Sequence, residues 1–124
     1  MLARKPYEAV AAYQAAMDAL IMPWNDSDWI KVCNPIKLKE YLAVGRPVVT
    51  TDFDALEGWR DLVSVAHGAE AFAAAIGRSL DAPYDADLAR ARVARETWDA
   101  KADLLAGALS GLFVDDRSDT RAAA

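Results

Sequence analysis

The sequence predicts an α/β fold in which a parallel sheet of about three strands is flanked by helices. Three short apolar segments bounded by breaking residues carry this prediction: residues 19–22, 48–51 and 62–66. Such runs are typical of strands that are buried on both faces of a parallel sheet. Segments with helical periodicity separate them, and strands that alternate with helices form right-handed crossovers. Three strands make an incomplete doubly wound sheet.

The chain opens on a helix and not on a strand. From Tyr7 to Met17 the sequence is rich in alanine, with Val10 and Tyr13 at helical spacing, which predicts a moderately amphipathic helix. The first apolar run follows and is closed by Pro23. Residues 24–33, which are polar and aromatic, are expected to form a loop.

A second helix is predicted from Pro35 to Gly45. Asn34 is a good N-cap residue. Proline at the first helical position has a suitable φ, and the N–H that it lacks would have no partner within the helix. Gly45, just before Pro47, is a natural C-terminal stop. The β-branched run at 48–51 then predicts the second strand.

The remainder alternates in the same way. We expect a helical turn at 56–61, the third strand, a helix from Gly68 to near Pro83, and one long final helix over about 86–112. The ordered domain would span residues 1–114, and residues 115–124 are expected to be a disordered tail. The apolar positions expected to be buried in the final helix are Leu88, Val93, Trp98, Leu104, Leu105 and Leu109.

Composition excludes several classes of protein. A formal charge of −5 argues against a nucleic-acid binder, which needs a basic surface to neutralise phosphates. The single Cys33 cannot form an internal disulfide, which favours a reducing compartment. The sequence has neither a signal-peptide pattern nor an apolar run of membrane-spanning length. We therefore expect a cytoplasmic protein, or one held at the inner face of a membrane by parts that this chain lacks.

The start of the second helix has the features of an anion site. Residues 24–34 leave the carboxyl end of the first strand and lead to a helix N-terminus, where free backbone N–H groups near Ile36 and Lys37 could face phosphate. A lysine in the first turn opposes the helix dipole. Bound phosphates would neutralise that lysine.

Glu40 follows Lys37 by three residues, about 60° further around the helix, so the two side chains share one face. A carboxylate one turn beyond the phosphates is well placed to accept hydrogen bonds from ribose hydroxyls. The alternative is a surface Lys–Glu pair without a ligand, which stabilises a helix only slightly. Spacing alone leaves both interpretations open.

The string NPIKLKEYLAVGRPVVTTDF resembles the P-x-K-x-x-E-Y-L-A-x-G-x-P-V-V segment in the donor domain of many bacterial GT-B glycosyltransferases. The preceding KPYEAVAAYQAAMDALIMPW is similar to the helix and strand that lead to it, and FAAAIGRSL and ARETWDAKADLLAGAL are similar to the closing helices. The resemblance covers roughly residues 5–112, and its central motif is the specific part.

The resemblance implies a partial Rossmann-like sheet that forms the second half of a GT-B donor domain. It implies that Lys37 contacts the diphosphate and Glu40 the ribose of a nucleotide-sugar donor, with Asn34 and the backbone of Ile36 near the phosphates or the sugar. Many relatives carry a further glutamate eight residues before Glu40, where this chain has Val32. This departure leaves the sugar contact and the retaining or inverting outcome open.

The function implied by the resemblance is sugar transfer from that donor to an unknown acceptor, without a metal or another cofactor. The acceptor-binding N-terminal domain of such an enzyme is absent from these 124 residues, so we expect weak or no transfer by the chain alone. The alternative is a non-catalytic α/β binding or interaction module that shares this half-fold.

Other candidate residues favour structural roles. Asp26-Ser27-Asp28 and Asp52-Phe53-Asp54 both match a D-x-D metal-binding pattern, but two matches in so short a chain show how common it is, and such residues usually form turns. His67, Cys33 and the tryptophans at 24, 29 and 98 are interpreted as turn or packing residues.

Overall fold

A computed structural model describes residues 4–119, with side chains for residues 4–112. It confirms the predicted α/β fold with a three-stranded parallel sheet flanked by helices. In order, the elements are a 3-10 turn Tyr7–Ala9, α1 Val10–Ala15, β1 Leu20–Met22, α2 Asp28–Lys31, α3 Ile36–Val44, β2 Val48–Thr50, a 3-10 segment Asp54–Leu62, β3 Ser64–Val65, α4 Ala69–Asp81, α5 Ala86–Val93, a 3-10 turn Ala94–Glu96 and α6 Trp98–Asp119.

The strands lie in the order β1-β2-β3, and both neighbouring pairs are parallel. In the register, Leu20 is paired with Val48, and Val49 with Ser64. The central strand β2 is buried at all three positions, as its β-branched sequence predicts. Because the strands are parallel, the segments after Met22, Thr50 and Val65 leave the same edge of the sheet.

One part of the core lies between α4 and the sheet. Val49, Ala66 and Ala75 form a buried cluster, against which Phe72 and Ile76 pack. The α3 helix buries Leu38 and Leu42, which are 2% and 0% exposed, and it packs against α1. Burying such a leucine contributes about 1.5–3 kcal/mol, so packing and not propensity holds α3 in place.

Two helices have their last carbonyl groups bonded by an arginine. Arg46 donates to the carbonyl oxygen of Ala15, the last residue of α1, from Nη2 at 2.8 Å. Arg90 donates to the carbonyl oxygen of Val44, the last residue of α3, at 3.0 Å. Gly45 follows with φ 78°, as expected for the left-handed stop that ends a helix.

The first two connections differ in detail from the sequence prediction. The first helix ends at Ala15 and not at Met17. The expected loop 24–33 contains the four-residue helix α2, in which Lys31 Nζ pairs with Asp28 Oδ1 at 3.2 Å. A single turn with its own ion pair is too short to show a periodic pattern.

The chain divides into two compact units, Met1–Ala91 and Arg92–Ala124. The expected single final helix is wrong, because the backbone of Thr97 is extended and separates α5 from α6. The Thr97 hydroxyl accepts a hydrogen bond from the Ala100 N–H, so it caps the new helix. The tail expected from residue 115 stays a prediction: the backbone of α6 is helical to Asp119, and residues 120–124 lie outside the described part.

The expected burial in the final segment is also wrong. Among these apolar side chains Val93 is partly buried, and the inward position of α5 is occupied by the small Ala89, which is fully buried. The exposed members of the set are Leu88, Trp98, Leu104, Leu105 and Leu109. Among residues 4–119, no helix has the length and apolar character needed to cross a bilayer.

Candidate functional site

The amino end of α3 starts one residue later than predicted. Pro35, with φ −74° and ψ 121°, is the N-cap, and its carbonyl oxygen accepts a hydrogen bond from the Leu38 N–H at 3.2 Å. No side chain caps this end, so the prediction that Asn34 is the N-cap is wrong. Because Pro35 already has extended backbone angles, Asn34 lies one residue too early to cap the helix.

Lys37 and Glu40 meet on one face of α3, as their spacing predicts. Lys37 Nζ lies 2.6 Å from Glu40 Oε2. The Lys37 side chain is 47% exposed and that of Glu40 is 19% exposed, so the ammonium lies closer to solvent than the carboxylate. The arrangement leaves the cation toward solvent and keeps the carboxylate behind it.

The second oxygen of Glu40 has a partner on a different element. The Tyr7 hydroxyl, at the start of the 3-10 turn before α1, donates to Glu40 Oε1 at 3.0 Å. The Gln14 side chain on α1 also acts to lower the pKa of this carboxyl group. Glu40 is therefore the point at which the first helical segment and α3 are joined by polar contacts.

These contacts keep the pair charged at neutral pH. Burial acts to raise the pKa of Glu40, but the hydrogen bonds from Lys37 and Tyr7 act in the opposite direction and leave it below its ordinary value. The hydrogen bond to Glu40 raises the pKa of the Lys37 ammonium, and it raises that of the Tyr7 phenol as well. A carboxylate and an ammonium therefore face each other over the whole physiological range.

A groove lies between α1 and α3 beside this pair. Its volume is about 450 Å³, and its lining residues are mostly apolar, with Glu40 and Tyr7 among the few polar ones. Its lining residues are Tyr7, Glu8, Val10, Ala11, Gln14, Ala15, Glu40, Ala43 and Val44. An apolar groove with a charged group in its wall has the general character of a ligand site.

A second cavity lies where the strands end. It has a volume of about 250 Å³ and is lined by Trp24, Asn25, Asp26, Asp52 and His67. The backbone N–H of Trp24 donates to the Thr51 hydroxyl at 3.0 Å, and that hydroxyl donates to the Trp24 carbonyl oxygen at 2.9 Å. The Trp24 ring stacks on Phe53 with 5.4 Å between the ring centroids. The segments after β1 and β2 are thus tied together at this edge.

A third cavity, of about 520 Å³, adjoins the second through Trp24. Residues after β1 and β2 line one side of it, and the amino end of α4 lines the other. Its lining residues are Pro23, Trp24, Thr51, Gly68, Ala69, Phe72, Ala73 and Ile76. The edge of the sheet that receives ligands in open α/β folds is therefore concave here.

Comparison with known proteins identifies the family. The family model described as glycosyl transferases group 1 matches residues 3–82, well over half of the 124-residue chain. The chain belongs to this family. A search of curated proteins and a search of solved structures each gave no match.

The region shared with group 1 glycosyl transferases contains the three strands found in residues 4–119 and both helices around the Lys37–Glu40 pair. It extends from α1 to α4, and α5 and α6 lie beyond it. The resemblance to a glycosyltransferase domain is therefore confirmed over the sheet and α3. Over the last two helices it stays a prediction.

The two D-x-D matches of the chain lie at the edge of the sheet. Asp52 Oδ1 pairs with Arg60 Nη2 at 2.5 Å, and Asp26 Oδ1 lies 3.7 Å from Lys31 Nζ. Each carboxylate thus has a cationic neighbour. Among the described residues, no group of three or more His, Cys, Asp or Glu side chains could hold a metal ion.

The other predicted site residues lie apart from the ion pair. Asn34 is exposed, Ile36 is 66% exposed, and neither lines any of these three cavities. Cys33 is partly buried, while Trp29 is 73% exposed. The structure therefore brings together Lys37 and Glu40, and it does not bring Asn34 or the Ile36 side chain to them.

Sequence reasoning missed Tyr7 and Gln14. Both lie in the segment KPYEAVAAYQ, which the family resemblance covers, but no spacing rule links a residue before α1 to one on α3. A signal was nevertheless present, because Tyr7 is an aromatic residue just before a helix that is rich in alanine.

Proposed function

We propose that this group 1 glycosyl transferase chain binds the diphosphate and ribose of a nucleotide-sugar donor at the amino end of α3, as the second half of a GT-B-type donor domain. The observation that carries the proposal is the 2.6 Å contact between Lys37 Nζ and Glu40 Oε2 on a half-exposed face of that helix. In this proposal Lys37 binds the diphosphate and Glu40 binds the ribose.

The place of α3 in the fold supports a phosphate site. This helix lies between β1 and β2, so it begins at the edge of the sheet where the parallel strands end. Its first N–H groups have no partner within the helix, and the positive end of the helix dipole favours an anion there. Backbone at Ile36 and the nearby Asn34 would lie beside the phosphates.

The chemistry of the pair supports the same division of roles. An ammonium has three N–H donors, so Lys37 can bond Glu40 and a phosphate oxygen at the same time. A carboxylate accepts hydrogen bonds and does not donate them, which suits neighbouring ribose hydroxyls. During transfer the diphosphate leaves with added negative charge, and a cation held beside it would stabilise that charge.

The remaining partners of the reaction belong to other parts of the enzyme. An acceptor and an acceptor-binding domain would complete the cleft, which must exclude water for the leaving diphosphate to be stabilised effectively. We therefore propose that these 124 residues alone bind donor but transfer sugar weakly or not at all. One cysteine in an acidic chain fits a cytoplasmic setting.

Calorimetric titration with UDP, GDP and ADP tests the donor site. We expect one nucleoside diphosphate to bind, and Lys37→Ala to weaken binding by roughly tenfold or more, because a charge-assisted contact to phosphate is lost. Lys101→Ala is a matched control: Lys101 pairs with Glu96 at 2.9 Å, and it is 48% exposed, as Lys37 is 47% exposed. Removal of Lys101 should leave the affinity unchanged.

Two results would count against the proposal. Equal weakening by Lys37→Ala and Lys101→Ala would indicate non-specific attraction of an anion to a cationic surface. If folded protein bound none of the three nucleotides at millimolar concentration, the non-catalytic α/β module would be the better interpretation.

A further inference from the structure

Tyr7 and Lys37 each bond a different oxygen of the Glu40 carboxylate. The Tyr7 hydroxyl donates to Oε1 at 3.0 Å, and Lys37 Nζ donates to Oε2 at 2.6 Å. The two donors come from different elements, since Tyr7 lies 33 positions before Glu40. Each oxygen therefore has its own partner, and the plane of the carboxylate is fixed from both sides.

A carboxylate fixed in this way still has acceptor capacity on both oxygens. Two carboxylate oxygens offer about four lone-pair sites, and Tyr7 and Lys37 account for one on each oxygen. The capacity that is left suits two adjacent hydroxyl groups, one for each oxygen, as the 2′- and 3′-hydroxyls of ribose present them.

We infer that Tyr7 is a positioning residue that holds Glu40 for the ribose hydroxyls of the donor. This inference rests on the proposed function. Tyr7 acts through Glu40, and Lys37 still supplies the phosphate contact. A polar acceptor that is held in place discriminates against an analogue that lacks the matching hydroxyl, because one hydrogen bond to the ligand is lost.

The position of Tyr7 allows its hydroxyl to be tested without disturbing the fold. Tyr7 is 70% exposed, and Tyr7→Phe removes only the group that reaches Glu40. Tyr13→Phe is the matched control, because Tyr13 lies on α1 and its ring faces Lys5 Nζ at 5.8 Å from the centroid. Both variants keep the aromatic ring.

The binding test compares UDP, GDP and ADP with their 2′-deoxy and 2′,3′-dideoxy forms, on wild type, Tyr7→Phe and Tyr13→Phe. Wild type should prefer the ribonucleotide. Tyr7→Phe should weaken ribonucleotide binding roughly three- to tenfold, as expected for one hydrogen bond, and leave the dideoxy affinity unchanged. Tyr13→Phe should match wild type with all three forms.

A second measurement needs no ligand. The side-chain carboxyl of Glu40 can be titrated by carbon NMR, and Tyr7→Phe should move its pKa upward because a hydrogen bond to the charged form is removed. Tyr13→Phe should leave the pKa of Glu40 unchanged. An unchanged pKa of Glu40 in Tyr7→Phe would overturn the positioning role.

The outcomes separate this inference from the proposed function. If binding depends on Lys37 but Tyr7→Phe keeps the wild-type ratio of ribose to dideoxyribose affinities, the role of Tyr7 is wrong and the donor site stands. If no nucleotide binds in a Lys37-dependent way, the donor site is wrong and the inference is overturned with it.

Discussion

Arg90 donates a hydrogen bond of 3.0 Å from Nη2 to the carbonyl oxygen of Val44, which lies 46 positions earlier and is the last residue of α3. Its Nε reaches the carbonyl oxygen of Ala43 at 3.4 Å. The last carbonyls of a helix have no partner within it and carry the negative end of the dipole, so a guanidinium there is favourable. Arg90 thus fixes the far end of the helix that carries Lys37 and Glu40.

Gly45→Ala should destabilise the protein by about 1–3 kcal/mol. Gly45 has φ 78°, a conformation that side chains disfavour, and an added Cβ would meet the guanidinium of Arg90. The substitution therefore strains the backbone and displaces the cation from the end of α3. Urea unfolding followed by circular dichroism would measure the loss.

Gly77→Ala provides the control for that substitution. Gly77 lies inside α4, and a Cβ added there would meet no atom within 4 Å. Alanine is the better helix former, so this change should stabilise by about 0.5–1 kcal/mol. Equal effects of the two substitutions would contradict the special role of Gly45.

The stabilising effect of Glu40 should depend on pH. Its pKa lies below the ordinary value in the folded protein, so the unfolded chain takes up the proton first as the pH falls. The stabilisation is therefore fully present above the unfolded pKa, about 4.3, and is lost as the pH falls through the lower folded value. The Glu40→Gln variant should have a lower free energy of unfolding than wild type at pH 7, and the difference should shrink as the pH falls toward 3.

Urea unfolding of both proteins at several pH values would measure this difference. Glu57→Gln, which alters an exposed glutamate of the 3-10 segment, is the control and should show a smaller difference at pH 7. A gap between wild type and Glu40→Gln that stayed constant from pH 7 to pH 3 would show that the ionised carboxylate does not contribute.

The sheet and one face of α3 could be predicted because their signals are local. Short β-branched or apolar runs between breakers located the strands, as at Val48–Thr50. A rotation of about 100° per residue placed Lys37 and Glu40 on the same face, and they lie 2.6 Å apart. The roles of these two side chains toward a donor stay predictions.

The details that failed depend on the backbone or on distant residues. Asn34 has the side chain of an N-cap, but the extended backbone at Pro35 moved the cap one position on. The contact of Tyr7 with Glu40 spans two elements, so no pattern within one segment reports it. Likewise, apolar spacing predicted buried positions such as Leu105 in the final helix, but burial needs a neighbouring element, and Leu105 is 60% exposed.

Thr51→Val should weaken the connection between the segments that follow β1 and β2. The Thr51 hydroxyl accepts from the Trp24 N–H and donates to the Trp24 carbonyl oxygen, at 3.0 and 2.9 Å. Valine has nearly the same shape but offers neither bond, and these polar groups are partly buried. We expect a loss of about 1–2 kcal/mol in unfolding free energy.

Thr51→Ser separates the hydroxyl from the shape of the side chain. Serine keeps both hydrogen bonds and gives up one methyl group, so it should destabilise less than valine does. Trp24, one of four tryptophans, stacks on Phe53, and a fluorescence shift with valine but not with serine that disappears in a Trp24→Phe background would locate the change at this edge. If serine destabilised the protein more than valine, packing of the methyl group and not the hydroxyl would hold the two segments together. The cavity lined by Trp24 and Thr51 would then owe its shape to apolar contact, and its width should respond to the volume of residue 51.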